Sequence, residues 1–228
     1  MKSTLGFLLE AALAAAVLVA PSAVAQVDYD LTRPGDQIIG VGAVKGDVTS
    51  VLSVVGTAGG VNNYPGGESP EKLLDDSLGT KYLNFAEVNV GFILTLPGDR
   101  AAANVTGFQL FSANDSANRD PMTLTLEGAI ATDALAAAGG ADWTLLYEGA
   151  SGLTAGGPRY GIGDVMTFDN AQVFNTYRLL VTTIQDSGTA NSMQFSEVQL
   201  YGTVVPEPGV VLLLGLGGLS LWIARRRS

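Results

Sequence analysis

The 228-residue chain contains no cysteine and no histidine. The first absence excludes disulfides and thiol nucleophiles, and the second excludes imidazole metal ligands and Ser-His-Asp catalysis. Charge is scarce as well. Only 15% of residues are charged, 12 Lys and Arg against 22 Asp and Glu, and the balance of −10 argues against a phosphate backbone as partner. No nucleic acid is therefore expected. Glycine is plentiful at 29 residues and apolar side chains make up 47%, the longest apolar runs lying at the two ends.

Residues 1–25 read as a signal peptide: Lys2 gives the positive start, residues 5–20 the apolar stretch, and Ala23-Val24-Ala25 a small-x-small site. Cleavage by signal peptidase after Ala25 would start the mature chain at Gln26. A retained N-terminal membrane helix is the alternative, disfavoured by the short run and by Pro21. At the other end, Pro206-Glu207-Pro208 leads into an apolar run over 209–224 and then Arg225-Arg226-Arg227. A helix over 209–224 would reach about 24 Å, slightly short of a bilayer core of about 30 Å, with the arginines snorkelling on the cytoplasmic side.

This order of Pro-Glu-Pro, short Gly- and Leu-rich span and terminal Arg cluster resembles the PEP-CTERM sorting signal of Gram-negative bacteria. The resemblance implies an exosortase-type processing enzyme as partner and export across the inner membrane. It further implies a transient transmembrane anchor, then a place on the cell surface or in the exopolysaccharide matrix of a biofilm. A plain C-terminal anchor remains the simpler alternative.

Between the two ends lie 180 residues, 26–205. Without Lys2, the three terminal arginines, Glu10 and Glu207 they hold 8 basic and 20 acidic groups, a net of −12. That length suits one domain. Short β-branched and aromatic runs separated by Gly, Asn, Asp and Pro predict strands over 38–44, 50–55, 91–96, 105–112, 122–129, 143–148, 165–168, 176–184 and 193–201. Two short stretches are predicted helical: 69–74, with Pro70 at the first helical position, and the Ala-rich 133–138. The expected fold is all-β, an antiparallel jelly-roll β-sandwich over 37–203, with 26–36 and 202–205 as linkers and 204–228 as the sorting signal. In the last strand, apolar Met193 and Phe195 are odd-numbered whereas Val198 and Leu200 are even. Such a phase slip predicts a bulge that re-aims Glu197.

The segment Leu73-Leu74-Asp75-Asp76-Ser77-Leu78-Gly79-Thr80-Lys81-Tyr82 resembles the early motif, Ala-x-Asp-Gly-x-x-x-Thr-x-Trp, of discoidin or coagulation-factor type C domains, which are galactose-binding-like jelly rolls. Further matches follow in order: Gly91-Phe92-Ile93, Asn114-Asp115, Arg119-Asp120-Pro121, Leu126-Glu127-Gly128, Trp143-Thr144-Leu145, Tyr177-Arg178-Leu179 and Phe195-Ser196-Glu197. Three positions depart from the pattern, with Asp76 for Gly, Ser77 for Asp or Asn, and Tyr82 for Trp. The resemblance implies a structural calcium ion, with Asp75, Thr80 and Glu197 as ligands and backbone carbonyls around Leu73, Ser77 and Thr80. Calcium takes six to eight oxygens, which a tight turn can present together. Asp75 capping a turn and Glu197 pairing with a nearby Lys or Arg is the alternative.

Carbohydrate recognition would use a loop-tip aromatic stacked on a pyranose face. Tyr64, in Asn63-Tyr64-Pro65-Gly66, and Tyr160, in Arg159-Tyr160-Gly161, are the candidates. Arg119 and Arg178 are expected to pair, and Trp143 to lie in the core or at the sandwich edge. No carboxylate spacing marks a glycosidase pair, so an enzyme is not expected. The functional expectation is a calcium-supported carbohydrate-binding module associated with exopolysaccharide; the alternative is a structural or interaction surface protein without a small ligand.

Overall fold

The computed structural model describes residues 29–43, 53–55 and 63–205. The expected signal peptide with Ala25, and the expected sorting residues Pro206, Glu207, Pro208, Arg225, Arg226 and Arg227, lie outside the described residues. Among the described residues no helix is long and apolar enough to cross a membrane.

In chain order the strands are β1 (Tyr29–Asp30), β2 (Gln37–Gly42), β3 (Ser53–Val54), β4 (Tyr82–Asn84), β5 (Val90–Thr95), β6 (Ala103–Phe111), β7 (Pro121–Ala129), β8 (Thr144–Ala150), β9 (Met166–Thr167), β10 (Thr176–Ile184), β11 (Met193–Phe195) and β12 (Glu197–Val204). One helix, α1 (Ala134–Ala138), follows β7. Its N-cap Asp133 accepts a bond from the Ala136 amide, satisfying a donor the helix leaves free. The predicted 69–74 helix is a single 3₁₀ turn, Pro70–Leu73, with Pro70 at its start and no side-chain cap from Ser69.

Among the described residues all strand pairs are antiparallel and form three sheets, β3-β2-β5-β10-β7-β8, β1-β12-β6-β9 and the small β11-β4. Alternation along the strands turns one side of each large sheet inward. Phe92 and Leu94 of β5, Leu124 and Leu126 of β7 and Leu179 and Val181 of β10 meet Phe108 and Leu110 of β6 and Val198 and Leu200 of β12 in one buried cluster. The outer side of the six-stranded sheet is not bare. Val41, Ile93 and Leu180 pack under Ala134 and Ala137 of α1 in a second small cluster, which explains why β2, β5 and β10 read as nearly continuous apolar runs.

The stretch 26–36, expected as a linker, holds β1 and the buried Leu31 in its described part. Asp36 accepts a two-pronged ion pair from Arg100, 2.7 Å on each side. Likewise β12 runs through 202–204 rather than stopping before them. Both additions come from pairing, since Tyr29 lies opposite Gly202 and the Val205 amide donates to Ala102. The chain therefore enters and leaves the body at one end of the sandwich. The loops 85–89, 112–120 and 185–192 lie at the other end, where β6 and β10 finish and β12 begins.

Candidate functional site

The phase slip in the last strand is a corner. Strand β11 pairs with β4, Ser196 turns the chain, and β12 starts at Glu197 opposite Phe111 of the four-stranded sheet. The corner is pinned by Ser196, whose amide donates to the Phe111 carbonyl at 2.9 Å and whose hydroxyl donates to the Ser112 carbonyl at 3.0 Å. Glu197 is thereby aimed at the loop that follows the Pro70–Leu73 turn, where its Oε1 accepts from the Ser77 amide at 2.8 Å.

In that loop the Thr80 hydroxyl lies 2.7 Å from Asp75 Oδ1 and 2.9 Å from the Ser77 carbonyl. Lys72 sits 3.2 Å from Asp75 Oδ2. Asp76 has φ of +57°, the left-handed conformation that the usual glycine would adopt without strain, so the Asp at this position keeps the turn at a local cost. Asp75, Ser77, Thr80 and Glu197, drawn from segments 120 residues apart, thus meet at one place. Leu73 contributes a buried side chain beneath the loop. Tyr82, standing where the family motif has Trp, is fully buried and donates its hydroxyl to the Gly91 carbonyl at 3.2 Å.

The two carboxylates of this cluster have opposite shifts. Burial pushes Glu197 up to about 7, the nearby Asp75 and Asp76 adding to it and the Ser77 amide opposing it. Asp75 is held below the carboxylate norm: burial raises it, but bonds from Thr80 and Lys72 outweigh that. Because the folded-state value of Glu197 lies above its ordinary 4.5, its contribution to stability is complete below about 4.5 and is lost as pH rises through about 7. Denaturant unfolding in EDTA should show stability falling across this window, and Glu197→Gln should flatten that slope. An unchanged slope in the variant would show that Glu197 does not titrate in this window. Asp120, also raised by burial, acts in the same direction and is untouched by the variant.

Two carboxylates, a hydroxyl and a carbonyl converge, the oxygen donors a hard cation takes, with the Lys72 ammonium on Asp75 Oδ2 and the Ser77 amide on Glu197 Oε1 standing against them. Among the described residues no three acidic side chains gather at one point, so a cation here would complete its shell with neutral oxygens. A divalent ion would offset the charge of both carboxylates.

The other expected site residues are placed as follows. Tyr64 is half-buried, its ring edge-on to Tyr82 with centroids 6.0 Å apart. Tyr160 is 49% exposed in a left-handed conformation, φ +58°, on a loop whose amide donates to the Ala113 carbonyl. Arg178 pairs with Glu127 at 2.6 Å and lies 4.4 Å from the Trp143 ring centre, so Trp143 serves the outer side of the sheet rather than the main core. Arg119 makes a long 3.4 Å contact to Gln194.

A second feature was not legible in the sequence. An open cleft of about 460 Å³ lies between 86–88 and 182–187, lined in part by Glu87, Thr182, Thr183 and Ser187. Glu87 and Asn89 hold left-handed backbone, φ +72° and +54°, and the Thr123 hydroxyl lies 2.6 Å from those of both Thr182 and Thr183. Backbone strain beside a polar cleft is a recurrent mark of binding loops. Its only sequence signal is the non-glycine turn Ala86-Glu87-Val88-Asn89, which resembles any other loop.

No protein-family model matches the chain, and no curated protein matches it. Among solved structures, similar ones include an F-lectin (fucolectin) from the serum of striped bass, Morone saxatilis, 9% identical. That match covers 79% of this chain and 51% of the other, with a TM-score of 0.49. The C-terminal domain of a chitobiase from Bacteroides fragilis is 11% identical over 78% of this chain and 99% of that one, with a TM-score of 0.48. A family 32 CBM from C. perfringens, in complex with galactose, is 13% identical over 60% of this chain and 88% of that one, with a TM-score of 0.45.

Proposed function

We propose that this chain is an exported, non-enzymatic carbohydrate-binding module of the cell surface or matrix, supported by calcium and directed to exopolysaccharide. The observation that carries the reading is the meeting of Asp75, Ser77, Thr80 and Glu197 at the loop end of the sandwich, away from the end where the chain enters and leaves. There a cation would lock the first motif to the last sheet strand. The ligand surface is assigned to the same end, with Tyr160 as an exposed ring and the Glu87, Thr182 and Thr183 cleft as a source of carboxylate and hydroxyl partners for sugar hydroxyls. Signal peptidase and an exosortase-type enzyme are the proposed processing partners, and the anchor over 209–224 is the proposed temporary link to the membrane.

A display body without a small ligand is the second reading, favoured by the packing of Tyr64 onto Tyr82 rather than into solvent. The two are separated by retention of the full chain on the producing cell's own exopolysaccharide and by a glycan array. Tyr160→Ala should weaken retention roughly tenfold, about 1.4 kcal/mol, with an unchanged melting temperature, because the ring contributes little to the core. Absence of retention on both surfaces would leave the display body.

A further inference from the structure

Residues 194–197 touch two loops at once. At one end Glu197 accepts from Ser77 in the Asp75 loop. Along the rest, Ser196 is bonded to the carbonyls of Phe111 and Ser112, where the 112–120 loop begins. The fully buried Gln194 donates from Nε2 to the backbone carbonyl of Asp115 and, at 2.9 Å, to its Oδ1. The segment that leads into β4 repeats the arrangement. Thr80 belongs to the cation cluster, and its neighbour Lys81, also buried, donates to Asp115 Oδ1 at 2.7 Å and to Gln194 Oε1 at 3.0 Å. Each of the two segments thus carries one residue of the cation cluster and one clamp on Asp115.

We infer that a cation held by Asp75 and Glu197 is coupled to the order of the 112–120 loop, with Lys81 and Gln194 as positioning residues for that loop. The inference rests on the calcium reading of the cluster. Drawing Glu197 and Thr80 to one ion fixes the ends of both segments, and the clamp on Asp115 passes that restraint to the exposed tip formed by Asn114, Asp115 and Ser116. Coupling of this kind is reciprocal, so whatever restrains the loop must tighten cation binding by the same factor. A carbohydrate bound at the loop end would then raise calcium affinity, and calcium would raise affinity for the carbohydrate.

Hydrogen exchange of the full chain in calcium and in EDTA, read by mass spectrometry, tests this. Calcium should slow exchange about fivefold in peptides covering 113–120 as well as in those covering 75–80. Asp115→Ala removes the loop side of the clamp at a side chain that is half exposed, so the fold is kept. It should abolish the calcium effect at 116–120, preserve it at 75–80 and weaken calcium binding by calorimetry about fivefold. Protection at 75–80 without any at 113–120 in the native chain would overturn the coupling and leave the calcium reading standing. No calcium effect at either place, with no heat of calcium binding, would overturn the calcium reading and the coupling together.

Discussion

In EDTA the protein is expected to melt about 5–10 °C below its melting temperature in 10 mM calcium. A site with two carboxylates and otherwise neutral oxygens belongs with extracellular calcium modules, whose dissociation constants reach down to about 0.1 mM, so 10 mM is about 100 times the dissociation constant. Binding to the folded state alone then adds about 2.7 kcal/mol, and each kcal/mol is worth about 2–4 °C in a domain of this size. The folded state alone can bind in this way, because Asp75 and Glu197 meet only through the Ser196 corner and the Ser77 turn. Glu197→Gln should remove most of the difference, and magnesium should replace calcium poorly because it demands a smaller, stricter octahedron. Coincident melting curves in calcium and EDTA would return Asp75 and Glu197 to ordinary turn and strand residues.

What the sequence made legible is what has a local signature. Strand 176–184 was expected with the bounds it has, because six of its nine residues are β-branched or aromatic and the run is flanked by turn formers. The parity change between Phe195 and Val198 predicted a bulge that re-aims Glu197, since a side chain can change face only if the backbone slips by one residue; the structure has a corner at Ser196 there instead. The sequence did not show that β11 and β12 belong to different sheets. β1 and β4 were missed for a related reason. Two or three residues carry no period of their own, and their pairing is decided by β12 and β11, more than 100 residues away in sequence. The same holds for Asp36 and Arg100, 64 residues apart, and for the cleft beside Glu87, which depends on where the end of β10 comes to rest. Tyr64 had the sequence of a loop tip, but Tyr82 beside it takes up one edge of its ring.

Arg159→Met is expected to cost about 3–5 kcal/mol, the loss measured when one partner of a buried ion pair is removed. Asp120 is fully buried, and both prongs of its carboxylate are held by the Arg159 guanidinium, one at 2.9 Å. The arginine also reaches the Asp115 carbonyl at 2.9 Å, so one side chain binds the 156–161 loop to both ends of the 115–120 turn. Even with this partner, burial holds Asp120 above its ordinary range. Without the guanidinium a carboxylate would be left in a dry site, where it must take up a proton or draw the loop open. The deficit should therefore shrink as pH falls and Asp120 is neutralised. Asp120→Ala combined with Arg159→Met should recover part of the loss, because the damage lies in the orphaned charge more than in the missing bonds. Denaturant unfolding of the two single variants and the double variant completes the cycle. A loss under 1 kcal/mol for Arg159→Met at pH 7 would mean that solvent reaches Asp120 and that the two loops are joined by backbone contacts alone.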